Sequence, residues 1–262
     1  MLLDSASFVR QTTAEVLSQA GKRDKPVIEM LLSHLHDREL EVRRAAVEGL
    51  GRLGGGQPAI IEALLPLLSD SDVRQAAIEA LGNHGREQPL ITEALVAYLS
   101  DSNFYVRRAV ATALGRFAVG KPPVIEALLT LLVDSKSEVR REAALSLGKT
   151  GKGQPSVIDA LLTRLSDFNA KVRQAAAIAL GQVGAEQPAV REALFQLFSD
   201  LDASVRRTAG QVLSALPIDH MALGRRIEAL LQGHEATANQ QLSVDNNIDA
   251  LLFALQQIVS DV

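Results

Sequence analysis

Carboxylates spaced at fixed distances from arginines are the residues of this 262-residue chain whose types could do chemistry. An aspartate stands ahead of a Val-Arg pair seven times, at Asp4, Asp37, Asp70, Asp101, Asp134, Asp167 and Asp200. The matching arginines are Arg10, Arg43, Arg74, Arg107, Arg140, Arg173 and Arg206. A carboxylate beside a cation can serve in general acid–base catalysis. A reaction centre is needed once, however, and this pair recurs in every copy. The spacing therefore predicts a ladder of charge-assisted hydrogen bonds that ties each turn to its own or the next copy. Asp101, Arg107, Asp134, Arg140, Asp167 and Arg173 form the centre of that ladder.

Two other patterns could carry chemistry, and both fall short. Gly148-Lys149-Thr150 matches the end of a phosphate-binding loop, but Ala143 stands where the loop needs its first glycine. The segment also ends a helix rather than starting one, so it presents carbonyls and not free N–H groups. The histidines are His34, His36, His84, His220 and His234, with no pair four apart to place two imidazoles on one helix face. With no cysteine, disulfides and thiolate metal sites are excluded. The residues thus predict no catalytic centre, no cofactor and no metal.

The elements that position these residues repeat. Val-Arg pairs begin at 9, 42, 73, 106, 139, 172 and 205, in steps of 33, 31, 33, 33, 33 and 33. A fixed period of this size with one helical hairpin per copy is the mark of an α-solenoid. The unit is clearest from Pro122 to Gly151. Helix A opens at a proline, whose missing N–H costs nothing in a first turn. An acid stands four residues after it (Glu126 here), read as a first-turn partner of the helix dipole. Val124, Ile125, Leu128, Leu129, Leu131 and Leu132 then make a broad apolar face. Helix B, about 138–149, places Val139, Ala143 and Leu147 on one side. Gly51, Gly82, Gly115, Gly148 and Gly181 are read as sites of close helix approach. Gly21, Gly54, Gly85, Gly151 and Gly184 are read as C-terminal caps. Pro66 predicts a bend inside the second copy's helix A.

The pattern D-x4-V-R-R-x-A-x-x-A-L-G, met at Asp101–Gly115 with Val110 for one alanine and at Asp134–Gly148 with Ser146 for the other, resembles a HEAT repeat of the short, phycobilisome-lyase-like kind. The resemblance covers residues 1–217 and implies an all-α fold, a right-handed α-α superhelix (HEAT-repeat solenoid) with a short C-terminal helical cap. The fuller cassette, with G-Q-P-x-V-I-E-A-L-L between copies, resembles the arrays at the C-terminal side of bacterial NACHT-type signalling NTPases. HEAT-type di-iron hydroxylases carry several His-Glu pairs; this chain has His234-Glu235 alone, in an expected loop. HEAT-like DNA glycosylases use a basic, aromatic concave face, which a chain without tryptophan and with net charge −4 does not offer.

A half repeat is read at 1–21, six full repeats at 25–216, and a cap at 218–262 after Pro217. The opening Met1-Leu2-Leu3-Asp4 aligns with Leu131-Leu132-Val133-Asp134, so the chain is expected to be a piece of a longer protein. At 47% hydrophobic but 3% aromatic, the core is one of tightly packed Ala and Leu. No apolar run reaches the length of a membrane span, and the missing cysteines fit a cytoplasmic protein.

What remains for function is the exposed face of the B helices. Counting the repeat valine as zero, positions +2, +6 and +10 point away from the core. They place Arg108, Thr112, Arg116, Arg141, Leu145, Lys149 and Ile178 on what is expected to be the concave side. The expectation is a non-enzymatic protein-interaction or ligand-sensing scaffold, with a protein partner whose surface is acidic and apolar. The net charge argues against nucleic acid, no membrane contact is indicated, and the oligomeric state stays open. The resemblance also leaves a second reading, a phycobilin lyase or chromophore chaperone.

Overall fold

The computed structural model describes residues 25–53, 55–85, 88–117 and 121–216. The expected half repeat (1–21) and cap (218–262) lie outside them. All regular structure among the described residues is helical. Short A helices alternate with longer B helices: α1 (Lys25–His34), α2 (Leu40–Leu53), α3 (Pro58–Leu64), α4 (Arg74–His84), α5 (Pro89–Val96), α6 (Phe104–Phe117), α7 (Pro122–Leu131), α8 (Ser137–Thr150), α9 (Pro155–Arg164), α10 (Ala170–Val183), α11 (Pro188–Gln196) and α12 (Ala203–Ser214). The chain divides after Leu131 into two compact units. In the first, α2, α4 and α6 pack side by side in sequence, with α1, α3, α5 and α7 along them. In the second, α8, α10 and α12 form the same layer, backed by α9 and α11.

The repeated apolar triad explains the layer. Val42, Ala46 and Leu50 on α2 recur as Val139, Ala143 and Leu147 on α8, and as Val172, Ala176 and Leu180 on α10; all nine are 0% exposed. Spacing of i, i+4 and i+8 keeps them on one face, and each buried leucine stabilises by about 1.5–3 kcal/mol. Small residues set the distance between neighbours. A Cβ on Gly51 would lie 2.8 Å from the Ala80 Cβ, and one on Gly82 would lie 2.8 Å from the Ala113 Cβ.

Three local expectations need correction or refinement. Gly85, Gly151 and Gly184 do end B helices, but at φ −72°, −102° and −134° none adopts the left-handed cap. Gly151 and Gly184 are glycine because a Cβ would crowd the first valine of the next A helix, Val157 at 2.8 Å and Val190 at 2.9 Å. The positive-φ glycines lie in the loops that follow, at Gly55, Gly56 and Gly153. The helix A acids also miss the first turn. Because α7 starts at Pro122, Glu126 sits one turn further in, where the dipole effect has fallen off. Near Pro66, where a bend within one helix was expected, α3 stops at Leu64 and the chain continues as a 3-10 turn over Leu65–Ser69.

Candidate functional site

The aspartate and arginine of each copy form a two-ended clamp. Arg140 donates through Nε and Nη2 to both oxygens of Asp167 in the next repeat, each at 2.8 Å. Arg173 does the same to Asp200 at 2.8 and 2.6 Å, and Arg74 Nη1 reaches Asp101 at 2.8 Å. The remaining nitrogen turns back to the arginine's own turn. Arg107 donates to the Asp101 carbonyl at 2.6 Å, Arg140 to that of Asp134 at 2.9 Å, and Arg173 to that of Asp167 at 2.9 Å. The carboxylates brace those turns as well: Asp134 Oδ1 accepts from Lys136 N–H at 2.8 Å and Asp167 Oδ1 from Asn169 N–H at 2.9 Å. Burial is the largest single influence on the Asp167 carboxyl and raises it, but the Arg140 hydrogen bonds, the Asn169 amide and the charges of Arg140 and Arg164 together hold it below its ordinary value. The hydrogen bonds to Asp167 and Asp200 push the Arg140 and Arg173 guanidinium groups up, respectively.

The shortened second copy departs from this pattern. Arg74 stands four positions after Asp70 rather than six, so the Asp70 carbonyl is taken by the Arg74 backbone N–H at 2.8 Å. The guanidinium instead holds the Leu68 carbonyl at 2.7 Å. Arg43, facing this turn, lies 3.9 Å from Asp70 and 3.6 Å from Asp72, a looser arrangement than in the later copies.

None of the outward positions of the B helices is buried in any described copy. In the first unit their charges are mixed. Arg116 Nη1 donates to Asn83 Oδ1 at 2.7 Å, and Asn83 Nδ2 donates to the Gly51 carbonyl at 3.1 Å. This chain of contacts closes one of the last carbonyls of α2. Arg116 also borders a cleft of about 330 Å³ with Glu48, Arg52 and Glu79, so acids stand beside it. The Arg108 guanidinium lies 5.5 Å from the centre of the Tyr105 ring, at cation–π distance. Thr112 donates to the Arg108 carbonyl at 3.1 Å. Arg108, Thr112 and Arg116 are all on α6, whereas Arg141, Leu145 and Lys149 are on α8 and Ile178 on α10. The last four belong to the second unit, where α8 and α10 pack together. There Arg141 and Lys149 are exposed, Leu145 is half-buried, and Ile178 is 38% exposed.

One polar core group has no outward role. His84, wholly buried, donates Nε2–H to the Leu50 carbonyl at 2.9 Å, and its Nδ1 has no partner. Burial pushes this imidazole down from 6.5, against a smaller upward pull from that bond.

The second unit also groups Arg141 with residues that the helix-face reading left out. Ser137, Glu138, Arg141, Asn169, Lys171 and Gln174 line a cleft of about 440 Å³, closed by Asp202 and Ser204. Beside it, in the turns leading into α10 and α12, Phe168 and Leu201 are fully exposed. Their signal was present in the chain: the same turn position carries Arg38, Ser71, Ser102 and Ser135 in the other copies.

Residues 28–92, 92–167 and 158–233 match the family model for HEAT repeats. No curated protein matches the chain. Among solved structures, YibA from E. coli is similar at a TM-score of 0.59, with 20% identity over 93% of this chain and 85% of that one. The complex of CpcE and CpcF of phycocyanin lyase from Nostoc sp. PCC7120 gives 0.55, with 20% identity over 91% of this chain and 97% of that one. A designed armadillo repeat protein in complex with the peptide (KR)4 gives 0.51, with 19% identity over 71% and 98%. At these identities the likeness concerns the fold alone.

Proposed function

This chain belongs to the HEAT-repeat family, and we propose that it is a non-enzymatic binding module for a protein partner with an acidic and apolar surface. The observation that carries this reading is the contrast between two sets of positions on the same helices. The Val, Ala and Leu positions repeat and are buried, while the +2, +6 and +10 positions vary from copy to copy and are never buried. A constant frame with a variable exposed face is how repeat arrays carry recognition. The groups with chemistry in them, the ladder carboxylates and arginines, are occupied in holding turns together. The designed armadillo protein with its bound peptide is an instance of such an array used for peptide capture. In the finer form of this proposal the array is the cytoplasmic sensing part of a larger NACHT-type NTPase, supported by the G-Q-P cassette between copies.

The test is capture of partners by the wild-type chain, followed by direct binding with the purified partner. Lys149→Glu with Ile178→Glu changes two exposed positions on neighbouring helices and should leave helicity intact. Affinity should fall several-fold or more; unchanged affinity would remove the helix face from the proposal. The second reading, handling of a bilin chromophore, draws on the lyase-like repeat type. The two clefts described above are lined mainly by polar and charged side chains, which suits peptide contacts better than an apolar tetrapyrrole. A spectral shift on adding a bilin would favour that reading instead.

A further inference from the structure

Among the described residues the three most exposed large apolar side chains are Phe168 (103%), Leu201 (99%) and Val133 (72%). All lie in the second unit, in the turns that lead into α8, α10 and α12. Single exposed apolar residues are ordinary on a protein surface. Phe168 and Leu201, however, hold the same place in consecutive repeats, one residue after a ladder aspartate. Equivalent points on adjacent repeats stand about one interhelix spacing apart, roughly 8–10 Å. They therefore form a row.

The backbone beneath that row is braced. Arg173 Nη1 donates to the Phe168 carbonyl at 3.4 Å, and Arg206 Nη1 to the Leu201 carbonyl at 3.1 Å. The preceding aspartates are held by the two-pronged bonds from Arg140 and Arg173. A contact residue on a fixed turn loses little backbone freedom on binding, which removes a usual cost of association.

Beside the row, the cleft supplies charge. Of its two carboxylates, Asp202 accepts from the Ser204 and Val205 amides and Glu138 accepts from the Ser137 hydroxyl at 3.1 Å. Arg141 and Lys171 pair with no carboxylate among the described residues. We propose that this turn edge of the second unit docks an extended protein segment in which apolar and acidic side chains interleave. The apolar side chains rest on Phe168 and Leu201, and the acids face Arg141 and Lys171. An extended left-handed chain rises about 3.1 Å per residue, so three residues span one repeat and the apolar positions fall at every third residue. The proposal deepens the binding-module reading and rests on it, extending the contact from the helix face, where Arg141 stands, to the turns beside it.

The probe is fluorescein-labelled (Glu-Leu-Glu)4, with (Lys-Leu-Lys)4 as its counterpart, added to the full chain and read by fluorescence anisotropy. The acidic peptide should bind at least tenfold tighter, and less tightly as salt rises. Phe168→Ser with Leu201→Ser, which restores the serine of the earlier copies, should weaken it tenfold or more. Its circular dichroism and melting should not change, because both side chains are fully exposed. Arg141→Glu should weaken binding and flatten its salt dependence. No binding of the acidic peptide, equal binding of both peptides, or full affinity in the double serine variant would each overturn the proposal. So would a wild-type dimer, seen by light scattering, that the double serine variant abolishes, since the row would then belong to a second copy. Loss of partner capture in Lys149→Glu/Ile178→Glu with none in Phe168→Ser/Leu201→Ser would overturn this edge and leave the binding module standing.

Discussion

Replacing Arg140 by alanine should be among the most costly changes a single polar side chain of this fold can undergo, and the geometry sets the size. The Asp167 side chain is 4% exposed and that of Arg140 is 15% exposed. The substitution removes two charge-assisted hydrogen bonds to Asp167 and two contacts to carbonyls of the preceding turn. Stripping the partner from a buried charge costs about 3–5 kcal/mol where nothing replaces it. Here Asp167 keeps the Asn169 N–H at 2.9 Å, and Arg164 stands 3.8 Å away. The expected loss is therefore about 2–3 kcal/mol, between the worth of a charged hydrogen bond and that of a fully orphaned ion. Arg43→Ala is the internal control. Its carboxylates lie at 3.9 and 3.6 Å and are 35% and 58% exposed, so its ion pairs should be worth at most about 1 kcal/mol.

Solution pH separates this account from simple loss of packing. The Asp167 carboxyl titrates below its unfolded value of 3.8 in the native chain. Its contribution is then complete above about that value and disappears as pH falls through the lowered one. The deficit of Arg140→Ala should accordingly shrink in acid. Because repeat arrays unfold by local and interface steps, the assay is hydrogen exchange of α9 and α10 alongside urea unfolding. A cost no larger than that of Arg43→Ala, or a deficit that is the same in strong acid as at neutral pH, would refute the argument.

Two further outcomes follow from the core. Burial makes His84 take up its proton at lower pH in the fold than in the unfolded chain, where it does so near 6.5. The first unit should therefore lose stability as pH falls below that value, by at most about 1.4 kcal/mol per pH unit. His84→Leu should flatten this slope in a melting series, and equal slopes would remove His84 as the cause. Gly82→Ala would bring a Cβ to 2.8 Å from Ala113 Cβ and 3.0 Å from its Cα, and should lower stability by about 1–3 kcal/mol through overpacking. Gly153→Ala, at φ +72° with open space around it, should lose only about 1 kcal/mol, from backbone strain. An equal cost at both sites in urea unfolding would show that helix spacing is not what Gly82 serves.

The parts of this fold that were legible in the chain are those that every copy must satisfy in the same way. A buried valine, alanine and leucine at i, i+4 and i+8 obey one constraint repeated down the layer, so period and burial come together. The direction of the ladder was not legible, because Asp134 and Asp167 stand at comparable reach of Arg140 in any reading by spacing alone. The structure gives Arg140 the carbonyl of the first and the carboxylate of the second, since only the next turn brings a side chain across the interface between repeats. Gly151 does close its helix, but the reason it is glycine was hidden for a related cause. Its neighbours suggest a chain reversal, but the atom that decides is Val157, six residues on and on another helix. The binding positions are harder still, because they are where the copies differ, and a repeat pattern averages differences away. Arg116 fits the outward position of its helix, yet its guanidinium reaches back to Asn83 of the preceding copy, which draws it towards the scaffold. Phe168 and Leu201 break the Ser/Arg pattern of their turn without breaking the fold. A large apolar side chain left in water on a braced turn gains nothing for folding. The natural gain is contact with something else.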